Sequence, residues 1–171
     1  MTGISHERRV IMRVYNAWKN IAGNGFPKRS QIEPAAFGAD WSNCLIIALD
    51  SVPSRSQFSY LGSALRDESV PPCENKVVSE CRKGSVLELV ARHIPRVLLK
   101  KEPVGFGGPA SHKGRDILYR TILLPLSETG ERIDGLLAAI SYCTVSIAEE
   151  IPSDIAWCNR MTPETSSPPA T

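Results

Sequence analysis

The chain reads as an α+β domain: an N-terminal helix, two strands, a helical segment and three further strands, with the sheet antiparallel. Three observations lead there. Apolar residues near the N-terminus recur with the helical period. Two short strand-like segments between residues 44 and 61 are separated by one tight turn. Three extended segments between 103 and 147 follow one another through turns alone, so no crossover helix is available to make them parallel.

Each element has its own warrant. Ile11, Val14, Tyr15, Trp18, Ile21 and Ala22 follow the i, i+3, i+4, i+7 rule, with Arg8, Arg9, Arg13 and Lys19 off the stripe, which predicts an amphipathic helix. Gly23, Asn24 and Gly25 end it, because they tolerate positive φ, and Pro27 prevents its resumption. Ser30-Gln31-Ile32-Glu33 has capping-box spacing and predicts a short second helix with Pro34 in its first turn. After Trp41, residues 44–49 are too few for a typical helix and rich in aliphatic residues, hence a buried strand. Residues 53–56 form a turn and 57–61 the return arm of a hairpin.

From 62 to 83 the pattern is irregular, and Pro71-Pro72 excludes a continuous helix. A second capping box, Ser85-Val86-Leu87-Glu88, opens a helix with Leu87, Val90, Ala91 and Ile94 on one face. Pro95 lies inside that pattern and predicts a kink or a break, with helix resuming to about Lys101. Glu102-Pro103 forces extended backbone. A glycine-rich strand over 103–110, a turn at 112–114, a strand over 115–126, a turn at 128–131 and a last strand over 133–147 complete the sheet. The tail holds Pro152, Pro163, Pro168 and Pro169 among Ser and Thr, too polar to offset the entropy of ordering, and is expected to be flexible. The chain therefore divides into an N-terminal helix over 1–26, a domain over 27–150 and a tail over 151–171.

Composition sets outer bounds. At 171 residues, 42% hydrophobic and 22% charged, the chain is one globular domain, not a disordered or fibrous one. A net charge of +2 gives no argument for nucleic acid. The longest apolar run, 44–49, falls short of the roughly 20 residues that cross a bilayer. Five cysteines, with no C-x-x-C pair, make neither a zinc ribbon nor a disulfide framework, and read as idle thiols in a reducing cytoplasm. Residues 1–120 carry a charge of +7 and residues 121–171 one of −5, which reads as solvated surface.

Three stretches carry a family resemblance. They are Ile32-Glu33-Pro34-Ala35-Ala36-Phe37 leading to the strand at 44–50, Phe58-Ser59-Tyr60-Leu61-Gly62-Ser63-Ala64-Leu65, and Tyr119 to Ser127 followed by Gly130, Ile133-Asp134 and Leu136. Together with the element order they resemble the PAS domain, in a bacterial branch of stand-alone proteins with an N-terminal amphipathic helix, over about residues 8–147. The middle departs from it: Val70-Pro71-Pro72-Cys73 and Pro95 have no counterpart in that pattern. The resemblance implies a PAS-like, curved five-stranded antiparallel sheet with helices packed on one face, a ligand space between sheet and helices, and dimer or partner contacts through the N-terminal helix and the outer sheet face. Trp41, Tyr60, His93 and Tyr119 are the pocket residues this would place inside. Ile11, Val14, Tyr15 and Trp18 would pair with the same helix of a second copy.

Catalytic chemistry finds no foothold. The histidines are His6, His93 and His112, and no nucleophile elbow, zinc-protease motif, phosphate loop or deaminase pair is present. Gly105-Phe106-Gly107-Gly108 follows a helix, whereas a dinucleotide site needs its glycines between strand and helix, so close packing is the reading. No metal site is expected. His93 lies on the helix from which haem-bearing PAS sensors take their axial ligand, which keeps haem as an alternative cofactor; no flavin-adduct cysteine motif is found. Arg92, Arg96 and Lys100 recur every four residues and, on an unbroken helix, form a basic ridge: a solvated face, or an anion contact for a cyclic dinucleotide.

The expectation is therefore a cytoplasmic, non-catalytic PAS sensor or interaction module. It would form a homodimer, bind a small molecule and signal through a partner protein, with no nucleic acid and no membrane span. The alternatives are a haem- or cyclic-dinucleotide-binding regulator and a ligand-free scaffold.

Overall fold

A computed structural model of the chain describes residues 3–67 and 72–145, with side chains from residue 8. The tail over 151–171, Pro71 and the far end of the last expected strand lie outside the described residues. The elements are α1 (Gly3–Ala22), α2 (Pro34–Phe37), β1 (Cys44–Ala48), β2 (Gln57–Leu61), α3 (Val86–Ala91), α4 (Ile94–Lys100), β3 (Val104–His112), β4 (Arg115–Leu126) and β5 (Gly135–Thr144), with short 3₁₀ turns between them.

All strand pairs are antiparallel, in the order β2-β1-β5-β4-β3. The β3–β4 hairpin closes through Lys113 and Gly114, both at positive φ, the two-residue geometry that matches strand twist. The outer edge of β2 is covered by the segment after residue 72: Asn75 N–H donates to Phe58 O at 2.7 Å and Val78 N–H to Ser56 O at 2.8 Å.

The helix expected from Ser85 onward is broken in two. Ser85 caps α3 by accepting from Glu88 N–H at 3.3 Å, as its spacing predicts. The chain then leaves regular geometry at Arg92 and His93, and α4 starts with Pro95 in its first turn. Proline has no N–H for Ala91 O and its ring clashes one turn back, so the break falls before Pro95 and not at it. The second helix is also displaced. It starts at Pro34, with Glu33 in the N-cap position making no side-chain cap, while Ser30 lies in a preceding 3₁₀ turn whose reciprocal contact is Lys28 with Gln31.

The sheet is covered on both faces. On one, Leu45, Ile47, Phe58, Leu123, Leu136 and Ala138 pack against Val86, Val90, Ile94 and Val97 of α3 and α4, all buried. On the other, Cys44, Ile46, Leu124, Leu126, Leu137 and Ala139 pack against Ile11, Val14 and Trp18 of α1 and Phe37 of α2. The α1 helix thus shares a core with its own sheet. Trp18 donates its indole N–H to Pro125 O at 3.0 Å, and Arg13 grips Asp40 with two bonds of 2.6 and 2.7 Å.

Candidate functional site

The layer between the sheet and α3–α4 is the place to look for a ligand. Its floor is set by alternation along β4: Ile117, Tyr119 and Leu123 belong to the inner core, and Thr121 shares their parity. Thr121 faces Phe106 on β3 and Ile140 on β5 in the register, both inner residues. It is 1% exposed, and its hydroxyl finds no hydrogen-bond partner among the described residues. An unpaired buried hydroxyl costs about 1–3 kcal/mol, so it stands out in an otherwise apolar floor.

His93 forms the roof at the α3–α4 break. Its ring lies flat on Phe106, with centroids 3.5 Å apart and 11° between planes, and Phe106 meets Tyr119 edge-on at 6.2 Å. Nδ1 sits 2.8 Å from Leu89 O, a contact that requires a proton on Nδ1, so that in the neutral tautomer Nε2 is the acceptor. The break presents His93 this way: a straight helix would carry residue 93 off the Leu87–Val90–Ile94 stripe.

At the far end of the layer, Ala64 O accepts from Tyr142 Oη at 3.0 Å and from His112 Nε2 at 3.3 Å, and His112 meets Tyr142 edge-on at 4.8 Å. These bonds tie the 63–65 turn to β3 and β5. Burial pushes the His112 imidazole below its ordinary value of 6.5, against weaker opposing effects of the Ala64 bond and Asp67. The folded chain therefore binds fewer protons than the unfolded one just below pH 6.5, and stability falls as pH drops below that value. The urea midpoint should be lower at pH 5.5 than at 7.5, and His112→Phe should flatten this dependence. An unchanged slope in the variant would remove His112 from the account.

The four expected pocket residues divide between two faces. His93 and Tyr119 come together through Phe106 in the inner layer. Trp41 and Tyr60 lie on the opposite face, stacked at 4.5 Å, with Tyr60 Oη donating to Trp41 O at 3.3 Å, and cannot line the same space. In β2, Leu61 faces the inner core, so its neighbour Tyr60 turns outward, where Trp41 stacks on it; Ile46 pairs with Tyr60 but Ile47 with Phe58, so Ser59 is an extra residue that brings Phe58 inward as well. Phe106 and Thr121 escaped the sequence reading; a short aliphatic hydroxyl among the large side chains of Ile117, Tyr119 and Leu123 is the signal that marks Thr121.

The expected dimer stripe is occupied within the chain. Ile11, Val14 and Trp18 are buried on the sheet, and Tyr15 is half-buried beside Trp18 at 6.2 Å. The basic ridge is interrupted by the break. Arg92 pairs with Glu88, whose carboxyl burial pushes up and whose bonds from Arg92 and Gly84 N–H bring below the usual range; Lys100 Nζ lies 3.8 Å from Glu102. Arg96, half-buried, has no ion pair among the described residues.

Haem does not fit the residues present. A porphyrin in this layer would take the place of Phe106, which already covers the His93 ring, and of Tyr119 beneath it. No group of three or more His, Cys, Asp or Glu among the described residues could hold a metal ion, and no described helix is long and apolar enough to cross a membrane.

No family model and no curated protein matches the chain. Among solved structures it is similar to an RNA-binding light-oxygen-voltage receptor, at 17% identity and a TM-score of 0.38, over 69% of this chain and 34% of that one. It is also similar to the PAS domain of BvgS from Bordetella pertussis, at 15% identity and a TM-score of 0.33, over 69% of this chain and 82% of that one. The chain thus spans about a third of the light receptor's length. Its own architecture is α+β: a five-stranded antiparallel sheet in the order β2-β1-β5-β4-β3 with α3 and α4 across one face.

Proposed function

We propose that this chain is a PAS-type, non-catalytic sensor module. It takes a small, mainly apolar ligand between β3–β5 and α3–α4 and signals through a partner protein. One observation carries the reading: the buried Thr121 hydroxyl without a partner, in a floor of apolar side chains. A ligand with one polar group would satisfy it, with His93 Nε2 as an acceptor at the roof. Because His93 sits at the joint between α3 and α4, a ligand that displaces its ring from Phe106 would change the angle of that joint.

The competing reading is a ligand-free scaffold, favoured by the full burial of Val90, Ile94, Val97 and Leu123 in the same layer. Thr121→Val separates the two, since it replaces the hydroxyl by a methyl of similar shape. The ligand-free chain should gain about 1 kcal/mol by losing an unsatisfied group. Native mass spectrometry of protein from its own host should show an added small-molecule mass on the parent chain and its loss in Thr121→Val. Bare polypeptide in both would reject the sensor in favour of the scaffold.

A further inference from the structure

Cys73 and Cys81 stand apart from the rest of the chemistry. The Cys81 thiol points at Cys73 Sγ, 3.6 Å away, across an eight-residue separation. Cys81 is 6% exposed and belongs to the inner core; Cys73 is half-buried at its margin. The segment that carries them covers the β2 edge, through Asn75 to Phe58 and Val78 to Ser56, and leads into α3.

We propose that Cys73 and Cys81 form a reversible dithiol–disulfide pair, oxidised by hydrogen peroxide or an organic hydroperoxide. The Cys73 thiolate attacks the peroxide oxygen, the O–O bond breaks, and Cys73 becomes a sulfenic acid as the leaving hydroxide or alkoxide takes a proton. The Cys81 sulfur then attacks the Cys73 sulfur, the S–O bond breaks, and water leaves with the Cys81 proton. Two thiols and one peroxide give one disulfide and two waters, or one water and an alcohol. The order of events follows from exposure: the peroxide reaches Cys73, while burial first and the neighbouring Cys73 second push the Cys81 thiol well above its ordinary range. Sulfurs 3.6 Å apart need about 1.5 Å of approach to reach bonding distance. The product would pin the strap over β2 to the start of the α3 approach, tightening the roof of the inner layer.

Other thiols give the contrast. Cys44 is fully buried, and burial, with Asp40 adding to it, pushes its thiol up to about 12, so it should stay reduced and unalkylated.

The test is a peptide map of the full chain after peroxide treatment and alkylation without reductant. Trypsin cuts after Lys76, so a disulfide would hold together the peptides 67–76 and 77–82, and dithiothreitol would release them. The oxidised chain should melt about 5–10 °C higher, as expected for closing a short loop, and Cys73→Ser should lose that shift. Over-oxidation of Cys73 without the cross-link, both thiols remaining free, or pairing with another cysteine would each overturn the proposal. The wild-type map decides even where the variant folds poorly.

Discussion

Trp18→Ala should lower the unfolding free energy by about 3–5 kcal/mol, the usual range for deleting a buried Trp. The side chain is 5% exposed between α1 and the outer sheet face, where it meets the cluster of Cys44, Ile46, Leu124, Leu126 and Leu137. The substitution also removes the indole donor from Pro125 O and leaves that carbonyl short of a partner. The ion pair that joins the same helix to the 38–43 turn contributes less. Arg13 is half exposed, but Asp40 is buried and accepts both bonds, so removing Arg13 should cost roughly 1–2 kcal/mol. Arg13→Ala is therefore the comparison: same helix, same interface, smaller effect. Urea unfolding should place Trp18→Ala as the less stable of the two. Hydrogen exchange should show α1 amides losing protection in Trp18→Ala while β4 and β5 keep theirs, because the inner core does not touch α1. A Trp18→Ala variant within 1 kcal/mol of the parent would mean that α1 does not rest on this sheet.

The contrast between what the residues foretold and what they concealed has a physical pattern. The α1 stripe, the Ser85 cap, the hairpins and the five antiparallel strands all follow from local periodicity, turn chemistry and chain order, which act over a few residues. The face to which each element turns is a long-range matter. A stripe of Ile11, Val14 and Trp18 suits a second copy as well as the chain's own sheet, and only the outward Ile46, Leu124 and Leu137 decide between them. The inner site failed for a sharper reason. Tyr60 turns outward because Leu61 takes the inner face, the bulge at Ser59 brings Phe58 inward in addition, and Trp41 follows Tyr60 by stacking on it from the 38–43 turn. His93 reads from the sequence as a residue on a helix, whereas it lies in the break between α3 and α4 that Pro95 forces, and that break sets it over Phe106. Thr121 is set by the register of three strands at once.

Gly62→Ala should be the most disruptive single-methyl change in the chain, costing about 4 kcal/mol or more. A Cβ at this position would lie 2.2 Å from Ser42 O, 2.6 Å from Ser42 C and 2.7 Å from Cys44 O, all backbone atoms that no rotamer change can move aside. The glycine is required by this close approach and not by its backbone angles, which are extended at φ −62° and ψ 151°. Its own N–H donates to Cys44 O at 2.8 Å, so relief of the clash must pull the end of β2 away from the start of β1. The 63–65 turn follows at once and carries Ala64 O, the acceptor for Tyr142 and His112. The damage should therefore reach the inner layer: Gly62→Ala should lose near-UV dichroism from Tyr142 and the pH dependence assigned to His112, as well as urea stability. Gly25→Ala, where an added Cβ meets nothing within 4 Å, controls for the loss of a glycine as such and should change stability by less than about 1 kcal/mol. Equal effects at the two positions would show that the β1–β2 junction is looser than the 2.2 Å approach requires, and with it the tether that holds the 63–65 turn against β5.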